Sequence, residues 1–377
     1  MGVGIAQVAL EAGHEVVLYD VDEVALERGR DRLRDGLGRR AARLELDADS
    51  LDEWVEGRIA NLRSAVTLDA VGAVAEVVIE AALEDLDLKR TIFLALDRDL
   101  PAEALLATNT SALPIAEIAS ATNRPERVLG LHFFNPAPLM ALVEVVRGPQ
   151  TDQATVDQAI DLMERWGKTP VVSGDSPGFI VNRVNRPFTL EALAILEDGT
   201  ATTAQIDVAM RDAGYPMGPF ELMDLAGIDV NLAAARGIHD GFVARGDPLA
   251  GRFEPSIRQE RMVDSGRLGR KTGAGFFTYE DGVAVDADAA PLGAATRDRI
   301  VDRIELAIVN EAYRARDEGV AAADAIDLAL RLGAGHPQGP FERWRDRGAA
   351  AGVLARLRAL DDNSPRFVPA PGLSADA

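Results

Sequence analysis

The 377-residue sequence contains no cysteine. That excludes disulfides, thiolate metal sites and thiol nucleophiles together. Histidine is nearly as scarce: His14, His132, His239 and His336 are the only four, with no HxxxH pair among them. A metal site is therefore not expected, since neither thiolates nor clustered imidazoles could hold one. No apolar run approaches the ~20 residues needed to span a bilayer, and no basic region followed by an apolar core opens the chain. The expected setting is the cytoplasm, with no membrane partner. Lysine is short too: of 40 basic residues only Lys89, Lys168 and Lys271 are lysine. In a chain so biased toward arginine, each is a candidate site for a compact ammonium in place of a planar fork. Positive charge as a whole is outweighed, leaving a net charge of −21. Nucleic acid, whose phosphates need a basic face, is excluded as a partner. An anionic cofactor is not, provided that backbone N–H groups or local cations gather at its site.

What is present is an ordinary globular composition, 47% hydrophobic, long enough for two or three domains. Its chemistry is densest from Thr108 to Glu144, TNTSALPIAEIASATNRPERVLGLHFFNPAPLMALVE. Ser111, His132, Asn135 and Glu144 stand there among apolar residues. LLATNTS and VLGLHFFNP read as the ends of buried parallel strands, where an open α/β sheet presents its ligand-facing residues.

The chain opens with MGVGIAQVALEAGHEVVLYD, a helix that starts at glycine and a strand that closes in Asp20. This is the second half of a dinucleotide-binding βαβ unit, with Gly2 as its last fingerprint glycine and Asp20 placed for ribose hydroxyls. The strand before it, with the first two glycines of GxGxxG, is not in the given sequence. The expectation is a sheet lacking that first strand, and a translation start upstream of Met1. Residues 22 to 66 form a charged helical region with clustered arginines. Strands at Val77–Glu80, LLATNTS, VLGLHFFNP and LVEVVR alternate with helices and imply a parallel, doubly wound α/β sheet.

After Pro177 the pattern turns helical and repeats. Arg183, Glu191, Ala192, Gly199, Ile206 and Asp207 recur at constant spacing as Arg303, Glu311, Ala312, Gly319, Ile326 and Asp327. GYPMGPFE at 214–221 recurs as GHPQGPFE at 335–342. The helical domain is duplicated. Three domains are expected: 1–175, 176–282 and 283–377.

The motifs MGVGIAQ, IEAALEDLDLK, TNTS, GLHFFNP, LVEV, SPGFIVNR, GYPMGPFEL and GRKTGAGFF stand in an order that resembles the 3-hydroxyacyl-CoA dehydrogenase family, in its 3-hydroxybutyryl-CoA dehydrogenase type. The resemblance spans residues 1 to 280, and the remainder resembles a second copy of that family's C-terminal helical domain. It implies a Rossmann-type domain followed by two all-α domains, and NAD-linked oxidation of a 3-hydroxyacyl-CoA thioester. It implies His132 as catalytic base, Glu144 as its partner, and Ser111 and Asn182 as catalytic residues that also position the substrate. It further implies cofactor contacts at Gly2, Asp20, Glu84, Lys89, Ser111, Asn135 and Lys271. The family meets coenzyme A through a serine and a lysine after the second strand. Those positions fall on Gly36 and Arg43, so the serine is absent and the charge survives on Arg43.

These residue types suit that reaction. A neutral imidazole can take the hydroxyl proton near pH 7 while hydride leaves C3. A carboxylate on its other nitrogen fixes the tautomer and steadies the cation that forms. In the second copy Asp302 stands where Asn182 does and the SPGF segment is missing, so no second active site is expected. That copy either accompanies a homodimer or stands in for a partner within a monomer, with the Arg343–Trp344 region marking an altered face. Two competing readings are an NAD-dependent dehydrogenase of a free hydroxy acid, of the gulonate dehydrogenase type, and a truncated non-catalytic homologue.

Overall fold

The structure, a computed structural model, describes residues 1–44, 47–285, 289–360 and 364–376. The chain divides into two compact units, Met1–Asp175 and Ser176–Ala377. Among the described residues no helix is long and apolar enough to cross a membrane.

The first unit begins with α1 (Gly2–Glu11) and β1 (Val16–Tyr19). A charged arm follows as α2 (Glu23–Ala42) and α3 (Ala48–Ile59), each started by an aspartate. Asp22 accepts from the Val24 N–H and Asp47 from the Ser50 N–H, satisfying donors that a helix start leaves open. The helical region expected over residues 22 to 66 ends short of its last residues. Leu62–Ala65 is instead a strand, β2, paired in parallel with β1. Four residues of LRSA carry too little periodicity to announce a strand, and pairing with β1 decides the matter.

Next come α4 (Leu68–Gly72), β3 (Val77–Glu80), α5 (Leu86–Asp99), β4 (Leu105–Thr108) and α6 (Ile115–Ala119). β5 (Val128–Phe133), β6 (Leu142–Arg147), α7 (Gln153–Arg165) and β7 (Thr169–Gly174) complete the unit. The strands form two ladders, β1–β2 and a five-stranded sheet in the order β3-β4-β5-β6-β7. β1 and β3 do not pair. β3, β4 and β5 run parallel, but β6 lies antiparallel to β5, and β7 returns parallel to β6. The β5–β6 pair alone departs from the parallel pattern among the described strands of this sheet, because residues 134–141 are too few for the crossover a parallel pair requires. β4 and β5 are buried along their whole length, as strands covered on both faces must be. Leu105, Leu129, Leu131 and Val145 pack with Val156, Ala159 and Met163 of α7.

The second unit is built of helices. Its first half holds α8 (Val181–Val184), α9 (Arg186–Glu197), α10 (Thr203–Asp212), α11 (Pro219–Ala226), α12 (Ile228–Ala244) and α13 (Ile257–Asp264). A small hairpin, β8 (Tyr279–Glu280) and β9 (Val283–Ala284), leads to α14 (Ala294–Asp317), α15 (Ala323–Ala334), α16 (Pro340–Arg345), α17 (Ala349–Ala359) and α18 (Pro371–Ala375). The sequence repeat returns as repeated bonding. Asp207 accepts from the N–H groups of Phe220 and Glu221, and Asp327 from those of Phe341 and Glu342. A Cβ at Gly218 or Gly339 would lie 2.2 Å from the aspartate of its own copy, so each GPFE turn requires glycine.

The copies grip each other reciprocally. Arg183 of the first pairs with Glu311 of the second at 2.7 Å, and Arg303 of the second with Glu191 of the first at 2.6 Å. Glu311 also takes Arg252, and Glu191 takes Arg366. Arg343 pairs with Glu305 and donates to the Ala213 carbonyl oxygen. Trp344, beside Arg343, is 1% exposed and packed with Leu306, Val353 and Phe367.

Candidate active site

The carboxyl ends of the parallel strands β3, β4 and β5 lie on one edge of the sheet, and Glu84, Ser111 and Asn135 follow them in turn, with His132 on β5. Centre and best defined is the pair His132 and Glu144. Antiparallel register sets His132 of β5 directly opposite Glu144 of β6, and Nδ1 stands 2.6 Å from Oε2. Both are buried, His132 at 4% and Glu144 at 0% exposure. A carboxylate removed from water costs several kcal/mol unless donors meet it, and the imidazole N–H is such a donor. That bond places the ring proton on Nδ1, making Nε2 the nitrogen with a lone pair. The Phe134 ring packs tilted against the imidazole, 4.6 Å away between centroids.

Ser111 sits in the loop after β4, its side chain exposed and its backbone fixed. Glu84 accepts from the Thr110 hydroxyl at 2.7 Å and the Ser111 N–H at 2.8 Å. Asn109 of the same loop accepts from the Phe133 N–H at 2.8 Å, tying the loop to the residue after His132. Lys89 is 1% exposed and engaged: its ammonium meets Glu80 at 2.7 and 3.0 Å and Glu84 at 3.5 Å. Glu80 accepts from the Thr108 hydroxyl as well, so one buried cluster fastens the ends of β3 and β4 to α5. Asn135 is exposed in the 134–141 connection. Lys168 holds that connection, donating to the carbonyl oxygens of Ala137 at 2.6 Å and Met140 at 2.9 Å.

On the nucleotide side, Gly2 begins α1 and Asp20 follows β1 with its carboxylate exposed, accepting only from the Asp22 N–H among the described bonds. A Cβ on Gly2 would meet Ala81, just past β3, at 3.8 Å. At Gly4 it would press on Ala137 at 3.3 Å, so the second glycine lets α1 pack against the Asn135 connection. A helix N-terminus for a pyrophosphate and a carboxylate for ribose hydroxyls are a donor set that fits a dinucleotide. Arg43 caps the end of α2 and is exposed.

Asn182 and Lys271 belong to the second unit. Asn182 lies on α8, half-buried, directly before the fully buried Arg183. Lys271 is half-exposed and paired with Asp229 at 2.6 Å. Asp302, the counterpart of Asn182, is tied to Arg347 and Arg356. Sequence reasoning does not reach Glu80, Thr108 and Asn109 as site residues, and reaches Lys168 only as a scarce lysine. Glu80 had a legible signal, an acid closing an apolar strand as Asp20 does. Lys168 had its rarity.

Known proteins resemble the chain over both units. Residues 1–176 match the profile described as 3-hydroxyacyl-CoA dehydrogenase, NAD binding domain, and residues 178–279 and 300–360 match that family's C-terminal domain. The 3-hydroxyadipyl-CoA dehydrogenase of Escherichia coli (strain K12) is 36% identical over 96% of this chain and 91% of its own length. The mitochondrial hydroxyacyl-coenzyme A dehydrogenase of Rattus norvegicus is 41% identical over 74% of this chain and 88% of its own. The crystal structure of 3-hydroxybutyryl-CoA dehydrogenase from Escherichia coli K12 superposes with a TM-score of 0.88 at 34% identity, covering 100% of this chain and 96% of that one. The chain belongs to the 3-hydroxyacyl-CoA dehydrogenase family, with an NAD-binding domain at residues 1–176.

Proposed function

We propose that the protein oxidises (S)-3-hydroxyacyl-CoA thioesters to 3-oxoacyl-CoA with NAD, using His132 and Glu144. The buried cross-strand bond between them, 2.6 Å from Nδ1 to Oε2, carries the reading. NAD, when bound, accepts the hydride from C3. Nε2 of His132 takes the hydroxyl proton, and the Glu144 carboxylate holds the Nδ1 proton and stabilises the imidazolium. Ser111 and Asn182 hold the substrate oxygens in this reading, while Arg43 meets coenzyme A. Gly2, Asp20, Glu84, Lys89, Ser111, Asn135 and Lys271 serve the cofactor, and the Asp20 carboxylate favours NAD by opposing a 2′-phosphate. Glu84 supports the role of Ser111 by fixing its backbone.

His132→Ala is expected to lower kcat by about 10²–10⁴-fold with the fold intact, the range a positioned general base supplies. Glu144→Gln is expected to lower it comparably, because an amide N–H aimed at Nδ1 forces the ring proton onto Nε2. Steady-state rates with 3-hydroxybutyryl-CoA and NAD read both; wild-type turnover in either variant would remove this pair from the reaction. A rate with free 3-hydroxybutyrate equal to that with the thioester would favour the free-acid reading.

The domain plan proposed with this function is 1–175, 176–282 and 283–377. The reciprocal pairs Arg183–Glu311 and Arg303–Glu191 support a second helical copy that occupies a partner's place within one chain. Sedimentation at micromolar concentration is expected to give a monomer; a stable dimer would count against it.

A further inference from the structure

We infer that the second helical copy positions Asn182 for the reaction, acting through Arg183. This rests on the reading of Asn182 as a substrate-holding residue. Asn182 lies on α8, a single turn that joins α9 at Asn185. In the turn that launches α8 the fully buried Phe179 holds an uncommon positive φ of 51°, after Gly178 at φ 78°, which glycine adopts freely. A non-glycine residue in that region persists only where its surroundings over-determine it.

Arg183, next to Asn182 and 0% exposed, supplies the grip. Its Nη1 donates to Ser176 Oγ at 3.0 Å, back to the launching turn. Forward, Nε donates to Glu311 at 2.7 Å and Nη1 to Glu318 at 2.7 Å, both on α14 of the second copy. The guanidinium also lies over the Phe242 ring at 4.8 Å. Two carboxylates of the second copy thus hold the Asn182-bearing turn through Arg183. Catalytic groups must be held within about 0.5 Å of their working position, and the Arg183 ion pairs add a directional hold to the burial of Phe179, Ile180 and Val184 around Asn182.

The molecule contains its own control. Arg303 pairs with Glu191 at 2.6 Å and with Asp198 at 3.0 Å, mirroring Arg183 with Glu311 and Glu318. Arg303 stands on the unbroken α14, and its neighbour Asp302 is committed to Arg347 and Arg356. The same ion-pair chemistry there adjoins no residue assigned to the reaction.

The test uses the full chain, 3-hydroxybutyryl-CoA and NAD, and compares Glu318→Gln and Arg183→Lys with the mirrored Asp198→Asn and Arg303→Lys. The first pair is expected to lower kcat about tenfold or more with KM for NAD unchanged, the scale of a small misplacement of a reacting group. The mirrored pair is expected to leave kcat at the wild-type level with any loss confined to Tm. Glu318→Gln is also expected to cost little further when Asn182 is already Ala, since a coupled pair is not additive. Should Arg183→Lys fail to fold, Glu318→Gln, whose side chain is 46% exposed, carries the comparison alone. Equal losses of kcat in the two pairs, or an additive double variant, would overturn the inference. A wild-type kcat in Asn182→Ala would instead remove the reading of Asn182 on which it rests.

Discussion

Lys89 is only 1% exposed, yet its side chain ends against two carboxylates of the first unit. Its ammonium lies between Glu80 and Glu84, and Glu80 is itself only 5% exposed. Removing one member of such a pair leaves the other as an uncompensated buried charge. Lys89→Met is therefore expected to destabilise by about 3–5 kcal/mol in urea unfolding. Adding Glu80→Gln to the same chain should restore part of the loss, since no charge is then stranded. A change below about 1 kcal/mol would show that Glu80 finds water or another donor. The shortage of lysine pointed to these positions without saying what each ammonium does. Lys89 is bound to carboxylates, Lys168 to two carbonyl oxygens and Lys271 to Asp229. A composition can mark where a compact donor is used, whereas its acceptor comes from strands and loops far away in the chain.

Among the elements, the two GPFE helices show the repeat in its most testable form. Each is started by an aspartate from the preceding helix that accepts two backbone N–H bonds, Asp207 for α11 and Asp327 for α16. Replacing either by Ala is expected to cost about 1–2 kcal/mol, the range of a lost helix cap. The double variant should cost the sum, within about 0.5 kcal/mol, because the two caps share no partner. Chemical denaturation of the three variants checks both statements, and a cost confined to one copy would show that the caps are not equivalent. The repeat itself was legible, as were β3, β4 and β5, whose apolar runs end in Glu80, Thr108 and Phe133. β2 was not, being four residues with only Leu62 and Ala65 buried. Nor was the reversal at β6, where the LVEVVR run reads alike in either direction. Only the shortness of residues 134–141 dictates an antiparallel return, and that return brings Glu144 opposite His132.

Across the whole second unit, sequence counterparts meet at the centre. His336 of the second copy packs edge-on against Tyr215, its counterpart in the first, with ring centroids 5.1 Å apart. Its Nε2 lies 2.8 Å from Asn185 Oδ1, and it is 6% exposed. Burial, with Arg343 nearby adding repulsion, pushes the His336 imidazolium down to about 3. In the unfolded chain a histidine takes its proton near ~6.5. Between those two values the unfolded state binds the proton and the native state refuses it, so stability falls as pH is lowered through the window. The slope for one such group is about 1.4 kcal/mol per pH unit, giving roughly 2 kcal/mol by pH 5. Other groups titrate over the same range, so the contrast with His336→Gln isolates this one. The amide of Gln can still donate to Asn185, and it has no proton to gain. The variant is expected to lose about 2 kcal/mol less than the wild type when urea unfolding is moved from pH 7.5 to pH 5. Equal losses would mean that His336 gains its proton in the folded protein, which requires the contact between the two copies to open near Tyr215 before the rest of the unit unfolds.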